Sequence, residues 1–142
     1  MYQKVTIVGN LGGDPELRYM PSGQAVTNFS VATNRRWTGS DGQMQEETVW
    51  FRVSTWGKLA ETCNQYLSKG RQVMCEGRLR ADEGGGPRVW QDQSGKWRAS
   101  YELNALEVKF LGQRGEGGGT FDNGADNAPA GDPGITEDEI PF

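Results

Sequence analysis

The chain has 142 residues, a formal net charge of −4 and no histidine. The lack of histidine excludes Ser-His and Cys-His nucleophile pairs and metal sites with histidine ligands, and we predict no enzymatic activity. Two cysteines are too few for a disulfide framework or a zinc site, and no stretch reaches the ~18 apolar residues of a membrane span, so we expect a soluble cytoplasmic protein without cofactors.

The first half of the chain predicts three strands. Met1–Asn10 lacks the apolar core of a signal peptide, and within it Lys4–Val8 is a short β-branched run that ends at a glycine. Ala25–Thr33 alternates, with apolar residues and threonines on one side and polar residues on the other. A turn at Asp41-Gly42 leads into a third strand, Glu47–Thr55.

The pattern then changes from a strand to a helix and back. Apolar residues recur every four positions in Lys58–Lys69, and Gly70 follows as a favourable helix end. Alternation returns in Gln72–Arg80 and again in Lys96–Phe110, where a shift of the apolar phase near Leu106 predicts a bulge. The cysteines fall on apolar faces of these elements, so we interpret both as core residues: Cys63 and Cys75.

The predicted fold is all-β with a small helical contribution. Five strands with one helix between the third and the fourth match a five-stranded Greek-key barrel of the OB type, which binds oligonucleotides on an open strand face.

Charge and composition divide the chain near Leu111. Residues 1–111 hold fourteen Lys and Arg against twelve Asp and Glu, a net charge of +2. Residues 112–142 carry a net charge of −6, are rich in glycine and contain few apolar residues, so we predict a disordered acidic tail.

The third strand carries the strongest functional signal. Val49, Phe51 and Val53 point to one side, and the stripe of Trp50, Arg52, Ser54 and Trp56 points to the other. An aromatic–cation–aromatic stripe suits single-stranded nucleic acid, because bases stack on indoles while a guanidinium meets a phosphate. The alternative is that both tryptophans are core residues of a strand buried on both faces.

The remaining tryptophans lie near turns and beside cations. We predict DNA contacts for Trp37 and Trp90, whereas Trp97 suits either a contact or packing on the barrel. Stacking should supply most of the affinity, at ~1–3 kcal/mol per base. Phosphates should meet locally clustered cations, of which the candidates are Lys4, Arg35, Arg36, Arg52, Lys58, Lys69, Arg71, Arg80 and Arg88.

Several motifs together resemble the bacterial single-stranded DNA-binding protein family, SSB. The resemblance covers Met1–Leu111 and is densest in Lys4–Gly12, Asp14–Tyr19, Val49–Glu61 and Tyr66–Glu76. It includes the last five residues, which resemble the acidic, partner-binding tip of that family: Asp138, Glu139, Ile140, Pro141 and Phe142.

The resemblance implies a homotetramer of OB barrels, associated with the nucleoid, that protects single-stranded DNA in replication, recombination and repair. It also implies recruitment of replication and repair proteins through the tip, and no enzymatic activity. The family's stacking positions correspond to Trp37, Trp50, Trp56 and Trp90. Its backbone contacts correspond to Lys4, Arg52, Lys58, Lys69, Arg80 and Arg88.

The chain departs from the family pattern in one loop. Ala81–Pro87 resembles a Gly-rich insertion, which leaves the equivalence of Trp90 and Arg88 open.

Two other functions compete with DNA binding. The first alternative is another OB module, such as an RNA-binding adaptor or a primosome-type protein. The second is an interaction protein whose acidic tail is the active part and whose barrel is support.

Overall fold

The computed structural model describes residues 1–112, so the predicted tail beyond Gly112 and its tip lie outside the described residues. Residues 1–112 form eight strands and one helix, in the order β1 (Val5–Leu11), β2 (Glu16–Tyr19), β3 (Ala25–Thr38), β4 (Met44–Trp56), α1 (Gly57–Tyr66), β5 (Gln72–Leu79), β6 (Val89–Gln91), β7 (Trp97–Ala99) and β8 (Tyr101–Leu111). No helix among them is long and apolar enough to cross a membrane.

Five of these strands form a closed barrel, in the order β1-β5-β8-β4-β3. The barrel closes where Asn10 and Leu11 of β1 pair with Ala32 and Val31 of β3. Strands β4 and β8 run parallel, and the other barrel pairs are antiparallel. The helix lies between the third and fourth barrel strands, which confirms the predicted OB architecture.

Closure depends on a glycine in β1. A Cβ at Gly9 would lie 2.2 Å from the carbonyl oxygen of Ala32, so no larger residue fits where the two strands meet. Close approach of two backbones is a common reason for glycine inside a strand.

Alternate side chains of the barrel strands point inward and fill the barrel interior. Phe29 and Val31 on β3, Val53 on β4 and Leu103 on β8 are all buried. The core interpretation of the two cysteines is confirmed, because both are fully buried. Burial raises the pKa of the Cys63 thiol to about 11 and that of Cys75 to about 12, so both thiols are protonated at neutral pH.

The helix packs against β3 and β4, and a threonine hydroxyl attaches it to β3. Thr27 donates to the carbonyl oxygen of Ala60 at 2.7 Å, and Thr55 donates to the carbonyl oxygen of Thr27 at 3.2 Å. Both threonines are fully buried, so these hydrogen bonds satisfy polar groups inside the core.

Several predicted boundaries are wrong. The helix ends at Tyr66 rather than at Lys69, because Leu67 is extended and turns its side chain into the core. Strand β2 was not predicted. The predicted strand Lys96–Phe110 is two strands, β7 and β8, separated at Ser100.

The predicted bulge is confirmed. Glu76 pairs with Glu107 and Gly77 with Ala105, which leaves Leu106 as the extra residue and turns it to the outside. Leu79 is the last residue of β5 and is exposed, although it pairs with the buried Leu103.

Candidate nucleic-acid interface

The stripe on β4 lies on the outside of the barrel. Val53 is fully buried, whereas Trp50 is 53% exposed and Trp56 is 37% exposed. The alternative in which both tryptophans belong to the core is therefore wrong. Ser54 is the one buried member of the stripe, and its hydroxyl donates to Oδ1 of Asn28 on β3 at 2.7 Å.

The larger of two clefts beside this stripe, the Trp50 cleft, has a volume of about 430 Å³. Its lining comes from the β1–β2 connection and from β2, β3 and β4: Gly12, Gly13, Asp14, Glu16, Asn28, Phe29, Ser30, Trp50 and Arg52. Arg52 is the only cation of this lining and faces two carboxylates. The charge of this cleft therefore does not favour binding of a polyanion. Its main candidate binding group is the exposed indole.

The indole of Trp50 lies directly over Gly12. A Cβ at Gly12 would come within 2.4 Å of Cζ3 and 2.8 Å of Cη2 of Trp50. The backbone of Gly12 is fixed in turn, because its N–H donates to the carbonyl oxygen of Ser30 at 3.0 Å. The ring therefore packs against a fixed stretch of backbone, and about half of the side chain stays exposed for stacking.

A second cleft, the Trp90 cleft, has a volume of about 140 Å³ and is lined by Arg52, Arg88, Trp90 and Glu102. Because Arg52 lines both clefts, they adjoin at its guanidinium. The structure thus brings together four of the predicted site residues along one path: Trp50, Arg52, Arg88 and Trp90.

Trp90 is carried by a short hairpin, β6–β7, whose turn is fixed by Asp92. The Asp92 carboxylate accepts hydrogen bonds from the Ser94 hydroxyl and from Nε of Arg98, and these hold the pKa of Asp92 well below its usual range. In this hairpin Trp90 pairs with Arg98, and Trp97 pairs with Gln91. Trp97 therefore points to the face opposite Trp90, away from the Trp90 cleft.

The β3–β4 hairpin extends beyond the barrel and carries three more predicted residues. The Arg35 guanidinium lies 5.0 Å from the ring centroid of Trp37, a cation–π contact. Arg36 forms an ion pair with Glu46, with Nε 3.3 Å from Oε2. This arm lines neither cleft, so its residues reach a ligand only where that ligand leaves the barrel surface.

The three predicted lysines lie apart from one another. Lys58 is exposed in the first turn of α1, next to Trp56, and Lys69 follows the helix, its backbone N–H donating to Asp14 of the Trp50 cleft. Lys4 is paired with Glu76, and the hydrogen bond between them raises the pKa of Lys4. Lys4 lines a separate hollow of about 70 Å³ and neither of the two clefts.

Some lining residues were not predicted from the sequence. The alternation of β3 placed Asn28 and Ser30 on its polar side, so they were within reach once that side was taken as the ligand face. Gly12 and Glu102 gave no signal, because their partners are distant in the sequence: Trp50 for Gly12, and two arginines for Glu102. Within residues 1–112 no cluster of three metal-ligating side chains occurs.

Comparisons with known proteins give a consistent result for the family. Residues 2–111 match the model of the Single-strand binding protein family. The chain is 45% identical to Single-stranded DNA-binding protein 1 of Chlorobaculum tepidum over 84% of this chain and 70% of that protein. It is also 45% identical to the single-stranded DNA-binding protein of Neisseria meningitidis serogroup A, over 85% and 67% respectively.

A solved structure gives the same result for the fold. The Plasmodium falciparum SSB in complex with ssDNA superimposes with a TM-score of 0.63 at 25% sequence identity, over 79% of this chain and 96% of that one.

We predict that Gly12→Ala displaces the Trp50 indole, because the added methyl group would occupy the space of the ring. Near-ultraviolet circular dichroism and tryptophan emission should change, while the free energy of unfolding changes by less than about 1.5 kcal/mol, the cost of an off-rotamer side chain. Gly13→Ala is the matched control, since a Cβ there meets no atom within 4 Å. Identical spectra for the two variants would contradict the contact.

Proposed function

Because the chain belongs to the single-strand binding protein family, we propose that it binds single-stranded DNA without sequence preference. One observation carries the proposal: the outward stripe of Trp50, Arg52 and Trp56 continues into the Trp90 cleft through Arg52. Two relatives that are 45% identical are single-stranded DNA-binding proteins by name, and the structural neighbour was solved with ssDNA.

Stacking is the proposed main source of affinity. Trp50 packs against Gly12 and is exposed, and each base–aromatic stack contributes ~1–3 kcal/mol. The carboxylates of Asp14 and Glu16 in the same cleft oppose a phosphate, so the polynucleotide should lie with its bases against this cleft. Every base has a π-face, which explains why such binding tolerates any sequence.

The remaining contacts are proposed by position. Trp56 with Lys58 extends the stripe towards α1, and Lys69 flanks the Trp50 cleft at Asp14. The arm of Arg35, Arg36 and Trp37 can close over a strand that leaves the barrel. Arg88 lines the Trp90 cleft, and Arg80 lies beside it through the shared partner Glu102. Lys4 is proposed only as a contact for DNA that wraps beyond both clefts.

We also propose assembly into a homotetramer. Along Val5–Gly9, β1 pairs with β5 on one edge, and within the described residues no strand pairs with the other edge. A free strand edge is a template for pairing with a second copy. Exposed apolar side chains near it, Val8 and Leu106, would be covered by such an interface.

The proposed cellular role is protection of single-stranded DNA in replication, recombination and repair, at the nucleoid in the cytoplasm. We assign residues 1–111 to DNA binding and residues 112–142 to recruitment. Acidic side chains at Asp138 and Glu139 can meet Arg or Lys of a partner, and Phe142 offers an aromatic anchor. Catalysis and cofactors form no part of the proposal.

The stacking proposal predicts a loss of affinity on removing either indole of the stripe. Trp50→Ala and Trp56→Ala should each weaken dT-oligomer binding by ~1–3 kcal/mol, measured by fluorescence titration, with the fold intact by circular dichroism. Trp97→Ala is the control, because Trp97 points away from both clefts and should leave affinity unchanged. Tighter binding of rU than of dT oligomers would instead favour an RNA-binding module.

The assembly proposal predicts a mass of about four chains of 15.6 kDa by light scattering of the full-length protein. Val8→Lys should lower this mass, because it places a charge at the proposed contact. Val89→Lys alters a valine of similar exposure on β6 and should leave the mass unchanged. A stable monomer at micromolar concentration would rule out the tetramer.

The tail proposal predicts that Phe142→Ala removes replication and repair proteins from pull-downs with bacterial lysate, while affinity for dT oligomers is kept. Phe121→Ala is the matched control, since it removes the other phenylalanine of residues 112–142. Deleting Asp138–Phe142 should act like Phe142→Ala. If the captured proteins stay the same in both cases, the acidic segment has another role.

A further inference from the structure

Glu102 is a buried carboxylate on the ligand face of the barrel. It lies on β8 directly opposite Arg52 of β4, and it is only 6% exposed. A buried carboxylate is unfavourable unless charges and hydrogen bonds compensate it. Its presence among residues that line the Trp90 cleft therefore calls for a role.

Two arginines converge on this carboxylate from the two ends of one loop. Nη1 of Arg80 lies 3.8 Å from Oε2 of Glu102, and Nη1 of Arg88 lies 3.6 Å from Oε1. The backbone repeats the connection: the N–H of Arg80 donates to the carbonyl oxygen of Glu102, and the N–H of Ser100 donates to the carbonyl oxygen of Arg88. The Ser100 hydroxyl also donates to Oε1 at 3.2 Å.

The loop between these arginines is the predicted insertion, Ala81–Pro87. Asp82 holds it compact, because its carboxylate accepts the N–H groups of Gly84 and Gly86 at 2.9 Å each. The insertion therefore returns the chain so that Arg80 and Arg88 meet at one carboxylate.

The contacts orient the arginines and still leave them able to bind a phosphate. Distances of 3.6 and 3.8 Å are longer than direct hydrogen bonds, and the side chains of Arg80 and Arg88 are 53% and 57% exposed. The exposed part of each guanidinium-bearing side chain is therefore open to a phosphate. Together with Arg52, the three arginines and the single carboxylate leave a net charge of +2 at this point.

We propose that Glu102 is a positioning residue that holds Arg80 and Arg88 in place to receive phosphates of the bound strand. The proposal rests on the proposed function and deepens it. It also predicts a change in DNA affinity opposite to the one expected from simple electrostatics. Removing an acid beside bound phosphates should strengthen binding, whereas removing a positioning acid should weaken it.

The test compares the full-length chain with Glu102→Gln in dT-oligomer titrations at several salt concentrations. We expect affinity to fall about threefold to tenfold, which lies in the lower part of the range of coupling between groups in contact. The dependence of affinity on salt should become shallower by ~0.7 in the log–log slope for each phosphate that the variant no longer neutralises. Glu107→Gln removes the same charge from an exposed position of the same strand and should bind as tightly as the unmodified chain or more tightly.

Two further variants separate positioning from stability. Ser100→Ala keeps the charge but frees Oε1, and it should weaken binding in the same direction by a smaller factor. In an Arg88→Gln background, Glu102→Gln should have a smaller effect, because one of the arginines it positions is gone. Should Glu102→Gln fail to fold, Ser100→Ala decides, and unchanged affinity in that variant overturns the proposal.

The proposal is also overturned if Glu102→Gln binds as Glu107→Gln does, or loses the same factor with and without Arg88. If the unmodified chain does not bind dT oligomers, the proposed function fails and this inference fails with it. If the unmodified chain binds dT oligomers and the Glu102 variants bind as tightly as Glu107→Gln, the proposed function stands. Only the positioning role of Glu102 is then wrong.

Discussion

The two faces of strand β4 are the constraint on which the rest of the structure depends. The pleat sends Val53 into the closed barrel and its even-numbered neighbours outward, between β3 on one side and β8 on the other. Burial of the odd-numbered face fixes the register, because a slip by one residue would bury Arg52 and expose Val53. The core therefore positions the outward stripe, and the proposed binding surface is as rigid as the barrel.

Rigidity matters because the charge available for binding is small. Residues 1–111 carry a net charge of only +2, and two carboxylates line the Trp50 cleft. The overall positive charge of this domain is too small to supply the affinity by long-range electrostatic attraction. What remains is a supported indole for stacking and a few arginines placed at one point, where Arg52, Arg80 and Arg88 surround Glu102. Ordered groups of this kind lose little entropy on binding.

The segment Ala81–Pro87, which was predicted to be an insertion, forms a loop whose two ends lie beside Glu102. Its loop is closed by its own hydrogen bonds to Asp82, and both of its ends are tied to the Ser100–Glu102 segment. The extra residues therefore extend outward, and the ends stay where the Trp90 cleft needs them. Arg88 lines the Trp90 cleft, and its equivalence to a DNA-contacting position of the family stays a prediction.

The sequence by itself determined the elements whose signal is local. Alternation in β3 and β4 separated core from surface, the phase shift near Leu106 marked the bulge, and the cysteines were recognised as core. Those patterns depend on neighbours two to four positions apart, which a sequence displays directly. The end of α1 and the split between β7 and β8 were missed, because each depends on a single residue, Leu67 or Ser100, whose conformation is set by packing rather than by propensity.

Only the tertiary structure decided which residues meet. Gly12 supports Trp50 across 38 positions of sequence, and Glu102 joins Arg52 with the two ends of a loop. Trp97 and Trp90 have similar sequence surroundings, yet the pairing of their hairpin sends them to opposite faces. Such contacts follow from barrel closure and strand register, which no local pattern encodes. The sequence could therefore propose stacking residues but not predict what holds them in place.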